Sequence, residues 1–449
     1  MTITRELVEH VSAITPEAIP EAARTVARHC LLDWFGCAVA GSREPLAQIL
    51  SDELVAAEEG GATLVARAEC ATPLTAALIN GAMSHALDFD DTHTLMSGHP
   101  SAPVIPAALA LAERDGRDGA SFVAAIVAGI ETECRLGALV NPGHYALGFH
   151  ATGTLGTFGA AAACAHLLRL DHDRWMNALA IAGTQAAGLK SAFGTMSKPL
   201  HAGRAASNGL LAALLARSGY TGAADIIETE QGFARTHGAA EIDASRLDAL
   251  RDRWLITDTL FKYHASCYLT HAPIEAALKL RNDGVIPGAI ESVEVRASSG
   301  CMGVCDLPEP STGLEGKFSL RATTAMALLG DDTSDPASFN DARMRDPRFI
   351  AMRDRVTFVP TPGLQVTQAT VVVRPAGREL TAEADTGRPE TDLARQSERL
   401  TAKFMALTAP VIGADRAAAL RDAIEQVEDV ASMREIAALA RLEAAVPVR

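Results

Sequence analysis

The feature that most constrains this chain is a helical spacing of apolar residues through most of its first 260 positions. Apolar residues recur every three or four positions, which is the period of a helix with one buried face. This spacing predicts helices at Glu21–Ala40, Pro73–Ala86, Ile105–Asp115, Ala120–Leu136, Thr154–Leu168, Met176–Leu189 and Ala206–Ser218. Aromatic residues make up only 4% of the chain. Small and aliphatic side chains must therefore fill the core, which favours closely packed helices over a sandwich or barrel.

The pattern changes between about residue 286 and residue 388. Segments rich in β-branched residues predict strands at 290–299, Arg355–Pro360 and 369–375, and Phe318–Gly330 and Ser338–Asp346 predict helices. Helical spacing then returns in Leu393–Leu407, Arg416–Val430 and Met433–Ala445. We therefore predict a mainly α fold with an α+β insertion. Residues 1–268 and 391–449 form one large all-helical domain built from both chain ends, and residues 269–390 form a smaller α+β domain.

Charge and hydropathy exclude several classes of partner. The chain has 55 acidic and 40 basic residues, a net charge of −15, and no basic block that could follow a phosphate backbone, so no nucleic acid is expected. The longest apolar stretches are shorter than the ~20 residues that cross a bilayer. The N-terminal residues have no apolar segment typical of a secretory signal. We expect a cytoplasmic protein without a membrane partner.

Ionisable residues are concentrated at the end of the predicted helix Pro73–Ala86 and just after it. They are His85, Asp88, Asp90, Asp91, His93 and His99. Neighbouring Asp and His side chains in a cleft acquire shifted pKa values that suit acid and base catalysis. Two metal sites are alternatives: a Mg²⁺ site at Asp88, Asp90 and Asp91, as in helical terpene synthases, and a zinc site at His93 and His99. A solvated helix end is the alternative without a function.

Two further clusters lie beside predicted helices. His150 stands at the start of a Gly- and Ala-rich helix, where the helix dipole disfavours an imidazolium, so a neutral ring that can give or take a proton is expected. Lys198, His201 and Arg204 precede the small-residue helix 205–215 and predict an anion site that suits a carboxylate. Capping or core packing for His150, and exposure for the basic residues, are the alternatives.

A fourth cluster contains Lys262, Cys267 and His271. Lys262 and His271 flank the entry to a helix that runs through Ala277. Cys267 is either a nucleophile or a small residue that lines a pocket.

Together these four blocks resemble the MmgE/PrpD family, which includes 2-methylcitrate dehydratase, cis-aconitate decarboxylase and iminodisuccinate epimerase. The resemblance is carried by 85–92, 99–101, 149–153, 197–206 and the segment from Lys262 to His271. It implies a helical domain built from both chain ends, a smaller α+β lid domain, a homodimer, and no metal or organic cofactor.

The resemblance also implies an active-site cleft lined by Asp88, Thr92, His99, His150, Lys198 and Lys262. We predict that the catalytic residues are Asp88, His99, His150, Lys198 and Lys262, with His150 or the Asp88/His99 pair as the base. The predicted substrate-binding residues are Thr92, His201, Arg204, Cys267 and His271.

The chemistry shared by the family is proton removal or delivery at the carbon alpha to a carboxylate. Loss of water, loss of CO₂ or reprotonation on the other face follows. The resemblance therefore implies a hydro-lyase of the 2-methylcitrate dehydratase type, acting on a small di- or tricarboxylate. An epimerase of the iminodisuccinate type and then a decarboxylase are the enzyme alternatives, and a carboxylate-binding protein that kept the fold is the non-enzyme alternative.

The chain departs from the family pattern at three points. Cys267 stands where cis-aconitate decarboxylases carry a second His, and Ala322 stands where the family usually has Tyr. One residue more than in the decarboxylases separates Thr92 from His99. The lost hydroxyl at position 322 counts against decarboxylation, and it also counts against the standard substrate of the dehydratases.

Overall fold

The computed structural model describes residues 2–55, 60–238 and 241–443. The chain divides into two compact units. The first contains Met1–Phe261 and Glu390–Arg449, and the second contains Lys262–Pro389. The predicted boundaries lay at 268/269 and 390/391, so the first observed boundary comes earlier in the chain.

The first unit is built mainly from helices, as the apolar spacing predicts. Its helices before the second unit are α1 (Ile3–Ser12), α2 (Glu21–Gly41), α3 (Pro45–Leu54), α4 (Pro73–Ser84), α5 (Ser101–Asp115), α6 (Gly119–Val140), α7 (Gly143–Ala146), α8 (Ala151–Leu167), α9 (His172–Gly183), α10 (Ser197–Arg217), α11 (Phe233–Thr236) and α12 (Ser245–Asp248). Two very short strands, β1 (Ala62–Thr63) and β2 (Cys70–Ala71), pair antiparallel within this unit. The unit is therefore not purely helical.

Three predictions in this unit were wrong in extent. Helix α10 begins at Ser197, so the basic residues at 198, 201 and 204 lie within its first turns instead of before it; Pro199 is tolerated there because the first helical N–H groups have no partner in the helix. Helix α9 ends at Gly183 instead of Leu189, and Gly188 adopts a positive φ of 146° that a helix cannot contain. The helical spacing through most of the first 260 positions gives only the short helices α11 and α12 after α10, since residues 219–238 and 241–261 are otherwise largely irregular, beginning at Gly219 with φ 92°.

Close contact between α4 and α10 positions the residues that follow α4. A Cβ atom on Gly203 of α10 would lie 2.1 Å from the carbonyl oxygen of Leu78. A Cβ atom on Gly81 of α4 would lie 2.9 Å from Cα of Gly203. Only glycine permits this approach of the two backbones. It brings the chain after α4 next to the first turn of α10.

The second unit combines a four-stranded sheet with short helices. The helices are α13 (His271–Asn282), α14 (Gly313–Gly316), α15 (Leu320–Leu329), α16 (Asp341–Met344) and α17 (Pro347–Arg353), and the strands are β3 (Ile290–Ala297), β4 (Val356–Pro360), β5 (Gln368–Pro375) and β6 (Leu380–Asp385). The strand order is β4-β3-β5-β6, with β3 and β4 parallel and the other pairs antiparallel. The three predicted strands are confirmed. Strand β6 was not predicted, because it is a partly exposed edge strand with few β-branched residues.

The helix observed within the predicted range Ser338–Asp346 is shorter than predicted, because only α16 is helical there. The side chain of Asn340 accepts a hydrogen bond from the backbone N–H of Arg343 and so caps the start of α16.

The chain then returns to the first unit in α18 (Leu393–Ile412), α19 (Ala414–Glu425) and α20 (Met433–Ala440). Helix α18 packs along α2, and a Cβ atom on Gly36 would lie 3.5 Å from Cα of Phe404. The last helix ends five residues before the predicted end at Ala445, and residues 444 and 445 of that prediction lie outside the described residues. Within the described ranges, none of the helices combines the length and apolar character needed to cross a membrane.

Candidate active site

The site begins where α4 ends. His85 caps the helix, and the chain turns back at Asp88, whose φ of 51° lies in the left-handed region. Aspartate adopts this conformation more readily than most other residues with a Cβ atom. The turn brings His85 against Asp90, with Nδ1 of the ring 3.0 and 2.9 Å from the two carboxylate oxygens. Both side chains are buried.

The surroundings of His85 and Asp90 decide where their protons lie. Burial raises the pKa of Asp90, but the adjacent His85 and His99 rings outweigh burial and hold that pKa well below its ordinary value. Burial lowers the pKa of His85 to about 4. At neutral pH a neutral His85 therefore donates its Nδ1 proton to an ionised Asp90. Nε2 of His85 then holds a lone pair, and it has no hydrogen-bond partner among the described residues.

His99 and Lys198 converge on Asp88. Nδ1 of His99 lies 2.6 Å from the carbonyl oxygen of Asp91 and donates to it. Nε2 of His99 lies 3.6 Å from Oδ1 of Asp88, and Nζ of Lys198 lies 2.7 Å from the same oxygen. Because Nδ1 of His99 is engaged by a carbonyl, Nε2 is the ring nitrogen that faces Asp88.

His150 occupies the N-cap position of α8, as predicted. Its ring stacks on His85, with centroids 5.7 Å apart, and meets Phe193 edge-on at 5.1 Å. Burial, together with the neighbouring His85 ring and the Lys198 cation, holds the pKa of His150 well below its ordinary value, so the ring is neutral. Its Nδ1 lies 3.0 Å from Nδ1 of His201. Its Nε2 is buried and has no hydrogen-bond partner within the described ranges.

An open cavity of about 700 Å³ adjoins this group. Its wall includes Gly153, Gln185, Ser191, His201, Arg204 and Asn208. Arg204 is exposed and offers the cavity a cation with several N–H donors. A cavity of this size accommodates a small polycarboxylate.

Four side chains lie close enough together to surround a metal ion: His85, Asp88, Asp90 and His99. Each of them already has a partner in the cluster, since Asp88 pairs with Lys198 and Asp90 with His85. The Mg²⁺ alternative is not supported, because Asp91 points instead to the hydroxyl of Ser101 at 2.5 Å.

The zinc alternative at His93 and His99 is not supported either. Nε2 of His93 lies 2.9 Å from the carbonyl oxygen of Leu255, and Nδ1 accepts the backbone N–H of Leu95. Both ring nitrogens of His93 are therefore engaged by the backbone.

Family models match both parts of the chain. The MmgE/PrpD N-terminal domain matches residues 5–243, and the MmgE/PrpD C-terminal domain matches residues 264–429. The chain belongs to the MmgE/PrpD family. The predicted family membership is confirmed, and so is the mainly α fold with an α+β portion.

Named relatives in the family are decarboxylases and dehydratases. Cis-aconitate decarboxylase-like protein oryM of Aspergillus oryzae is 32% identical over 300 residues, which is 63% of this chain and 62% of that protein, so less than two thirds of its length is covered. Human cis-aconitate decarboxylase is 28% identical over 378 residues, 80% of this chain and 77% of that protein. The 2-methylcitrate dehydratase of Cupriavidus necator is 27% identical over 389 residues, which is 80% of this chain and 78% of that protein. These relatives support an MmgE/PrpD enzyme.

Five of the predicted site residues lie together in the first unit of this MmgE/PrpD chain: Asp88, His99, His150, Lys198 and His201. Arg204 lines the adjoining cavity. Thr92 is partly buried, and its hydroxyl donates to the carbonyl oxygen of Gly98 at 3.1 Å, a bond that closes the loop before His99.

The other three predicted residues belong to the second unit. Lys262 is its first residue and is buried. The backbone N–H of buried Cys267 donates to the carbonyl oxygen of Lys317 at 2.9 Å. His271 begins α13, with Nε2 3.3 Å from the carbonyl oxygen of Ser266. Their roles at the site stay predictions.

The site residues predicted from the sequence did not include His85 and Asp90. Both stand in the sequence block that carries the family resemblance, five positions apart across the end of a helix. That spacing was the available signal, because a helix cap followed by a tight turn brings such residues face to face. We call His85, Asp88, Asp90, His99, His150 and Lys198 the active-site cluster.

Proposed function

We propose that this chain is an enzyme that moves a proton at the carbon alpha to a carboxylate of a small di- or tricarboxylate, without a metal or organic cofactor. Among reactions of that class, we propose loss of water, as in 2-methylcitrate dehydratases. The supporting observation is the buried, neutral His150, whose Nε2 has no partner among the described residues and lies beside a cluster that contains Lys198. We also propose that the enzyme is a cytoplasmic homodimer.

A C–H bond next to a carboxylate is a weak acid, so its cleavage needs a base and a nearby positive charge. Nε2 of His150 supplies the lone pair that takes the proton. The ammonium group of Lys198 stabilises the charge that develops on the substrate carboxylate, and Arg204 holds a second carboxylate from the cavity wall. The electron pair left on carbon forms the double bond as hydroxide leaves the neighbouring carbon and is protonated to water.

His99 is placed to deliver that second proton. Its Nδ1 proton is held by the Asp91 carbonyl, and its Nε2 faces Asp88. A protonated Nε2 would therefore have a carboxylate beside it, which suits a general acid. Lys262 stays a predicted catalytic residue from the second unit.

Decarboxylation of cis-aconitate is the second candidate, because relatives that share 28–32% identity carry that name. Two departures count against it. Cys267 replaces a second His, and Ala322 lies buried near the start of α15 without the usual tyrosine hydroxyl.

The experiment is proton NMR in D₂O with chelator-treated protein and separate samples of 2-methylcitrate, citrate, cis-aconitate and iminodisuccinate. We expect an alkene product from a hydroxy acid, with exchange of the proton alpha to the carboxylate. Loss of CO₂ from cis-aconitate would instead favour the decarboxylase, and inversion with exchange would favour the epimerase. Binding without reaction or exchange of any acid would contradict an enzyme of this class and leave the carboxylate-binding protein.

Variants test the assigned residues. His150→Ala and Lys198→Ala should each lower kcat by at least about 10²-fold while the thermal unfolding midpoint stays near that of the wild type. The matched control is His172→Ala, because His172 is exposed on α9 and contacts Ser12. A rate near wild type in either site variant would remove that residue from the mechanism.

A further inference from the structure

His150 and His201 face each other through the same ring nitrogen. Nδ1 of one ring lies 3.0 Å from Nδ1 of the other. A hydrogen bond between two imidazole nitrogens needs a proton on one and a lone pair on the other. The two nitrogens therefore share one proton.

The position of that proton sets what His150 can do. When a neutral His150 donates from Nδ1, its Nε2 holds a lone pair and is a base. When His201 donates instead, a neutral His150 carries its proton on Nε2 and is an acid. Nε2 is the nitrogen that is buried without a partner among the described residues.

His201 lies between His150 and the open cavity. It stands in α10, is partly buried, and lines the 700 Å³ cavity, whereas His150 is fully buried. Gly188 holds the two rings together: a Cβ atom there would lie 3.3 Å from Cγ of His201 and 3.4 Å from Cβ of His150. The carbonyl oxygen of Gly188 also accepts the backbone N–H of His150 at 3.0 Å.

The charged and titratable groups around the pair favour two neutral rings. His85, His99 and Lys198 face His150, and burial with these neighbours lowers its pKa. Burial and Lys198 also lower the pKa of His201. Arg204 adds a further cation on the cavity wall. Two neutral rings are the state in which one proton can lie on either side.

We propose that His201 is a positioning residue that relays protons between His150 and solvent in the cavity, and so sets whether His150 is a base or an acid. The proposal rests on the proposed function. In proton removal, Nε2 of His150 takes the proton from carbon, and the electron pair stays on the substrate. The Nδ1 proton of His150 passes to Nδ1 of His201, and His201 releases its Nε2 proton to water. Each ring stays neutral and changes tautomer, and the reverse path delivers a proton to carbon.

The first test removes the ring of His201 and supplies a free one. In His201→Ala, exchange of the substrate proton with D₂O should slow at least about 10-fold. Added imidazole should restore part of the rate, because the cavity has room for it, and methylated imidazoles should restore it in the order of their pKa values. His172→Ala is the control, since it also removes an imidazole ring but His172 is exposed on α9, where it contacts Ser12.

The second test keeps the hydrogen bond but removes the relay. In His201→Asn the amide can bond to Nδ1 of His150 but cannot pass a proton onward. The wild-type rate should fall in acid as His201 becomes a cation and holds the Nε2 proton on His150, and the fall should come at a lower pH than for an ordinary histidine because burial and Lys198 lower the pKa of His201. The His201→Asn variant should be slow, and its rate should not show the fall in acid that His201 causes in the wild type. A wild-type rate in His201→Asn, or failure of every imidazole with His201→Ala, would overturn the relay.

A third measurement does not depend on turnover. In protein labelled with ¹⁵N-histidine, the two ring nitrogens of His150 should change their protonation pattern when His201 titrates, and His201→Phe should abolish that response. If the wild type neither converts nor exchanges any acid, the proposed function fails while this measurement still decides the relay. His150 signals that are identical in wild type and His201→Phe would contradict it.

Discussion

Asp90 and Asp91 are consecutive and buried, yet the carboxyl group of Asp90 is ionised and that of Asp91 is neutral. Asp90 contacts two imidazole rings, which keep it ionised. Burial and the neighbouring carboxylate of Asp33 raise the pKa of Asp91 to about 8, so it is protonated at neutral pH. Both carboxyl groups are buried, but the side chains that contact them differ. The charge of a buried carboxyl in this protein therefore follows from the groups that the fold places beside it.

The two aspartates belong to adjoining groups with different tasks. Asp90 is part of the active-site cluster. Behind it lies a second group that we call the buried acid cluster: Asp33, Asp91, Ser101, Glu133 and Lys403. Both carboxyl oxygens of Glu133 are buried without a hydrogen-bond partner in the described part of the chain, and burial raises its pKa well above the ordinary value.

Lys403 links the two clusters. Its Nζ lies 2.5 Å from Oδ1 of Asp33 and 2.6 Å from the carbonyl oxygen of Phe89. Phe89 stands between Asp88 and Asp90, so α18, near the C-terminus, holds the backbone of the active-site turn. The ammonium group also lies 3.8 Å from the centre of the Phe89 ring. The buried acid cluster thus supports the geometry of the active-site cluster.

The largest expected effect comes from removing this link. Lys403→Met keeps the side-chain length but leaves the Asp33 carboxylate buried without its cation. We expect the free energy of unfolding, measured with urea, to fall by about 3–5 kcal/mol. Adding Asp33→Leu should recover part of the loss, because the unpaired charge is then absent.

A matched lysine controls for loss of a single cation. Lys279 is exposed and donates to the carbonyl oxygen of Glu383. Lys279→Met should change the free energy of unfolding by no more than about 1 kcal/mol. A similarly small change for Lys403→Met would show that the buried pair does not hold the turn.

The second prediction compares the neighbouring aspartates directly. Asp90→Asn removes the charge that fixes the tautomer of His85, so kcat should fall by about 10²-fold. Asp91→Asn replaces a neutral acid by a neutral amide of the same shape, so kcat should stay within about 3-fold of wild type. Steady-state rates on the substrate found by NMR measure both. Equal losses in the two variants would contradict the assigned charge states.

Much of the fold and part of the site follow from local sequence. The apolar residues predict α2, α4, α5 and α6 because these helices are buried along most of their length. The residues from His85 to His99 gather because they are close in the chain. His150 at a helix start is predicted by the Gly- and Ala-rich segment that follows it.

The rest depends on distant segments that no local pattern reports. Lys403 is one charged residue on an otherwise ordinary amphipathic helix, and its target lies more than 300 positions away. The protonation of Asp91 depends on Ser101 of α5 and Asp33 of α2. The start of α10 at Ser197 was missed because Pro199 interrupts the helical pattern, although a proline is tolerated so near a helix start.

The third prediction concerns how stability changes with pH, and per pH unit it is the smallest of the expected effects. The pKa of Asp91 is about 8 in the folded protein and about 3.9 in an unfolded chain. Between these values the unfolded chain releases a proton that the folded protein keeps, so the free energy of unfolding falls as pH rises, by up to about 1.4 kcal/mol per pH unit for this group. The stabilising contribution of Asp91 is complete below pH ~4 and is lost above the pKa that Asp91 has in the folded protein.

Asp91→Asn should therefore make the fall in the free energy of unfolding between pH 5 and pH 8, measured by urea unfolding, shallower by about that slope. Asp90→Asn should change the slope much less in this range, because Asp90 is ionised in both states and acts only through its small effect on the pKa of Asp91. An unchanged slope in Asp91→Asn would mean that Asp91 is ionised in the folded protein, and the contrast between the two aspartates would disappear.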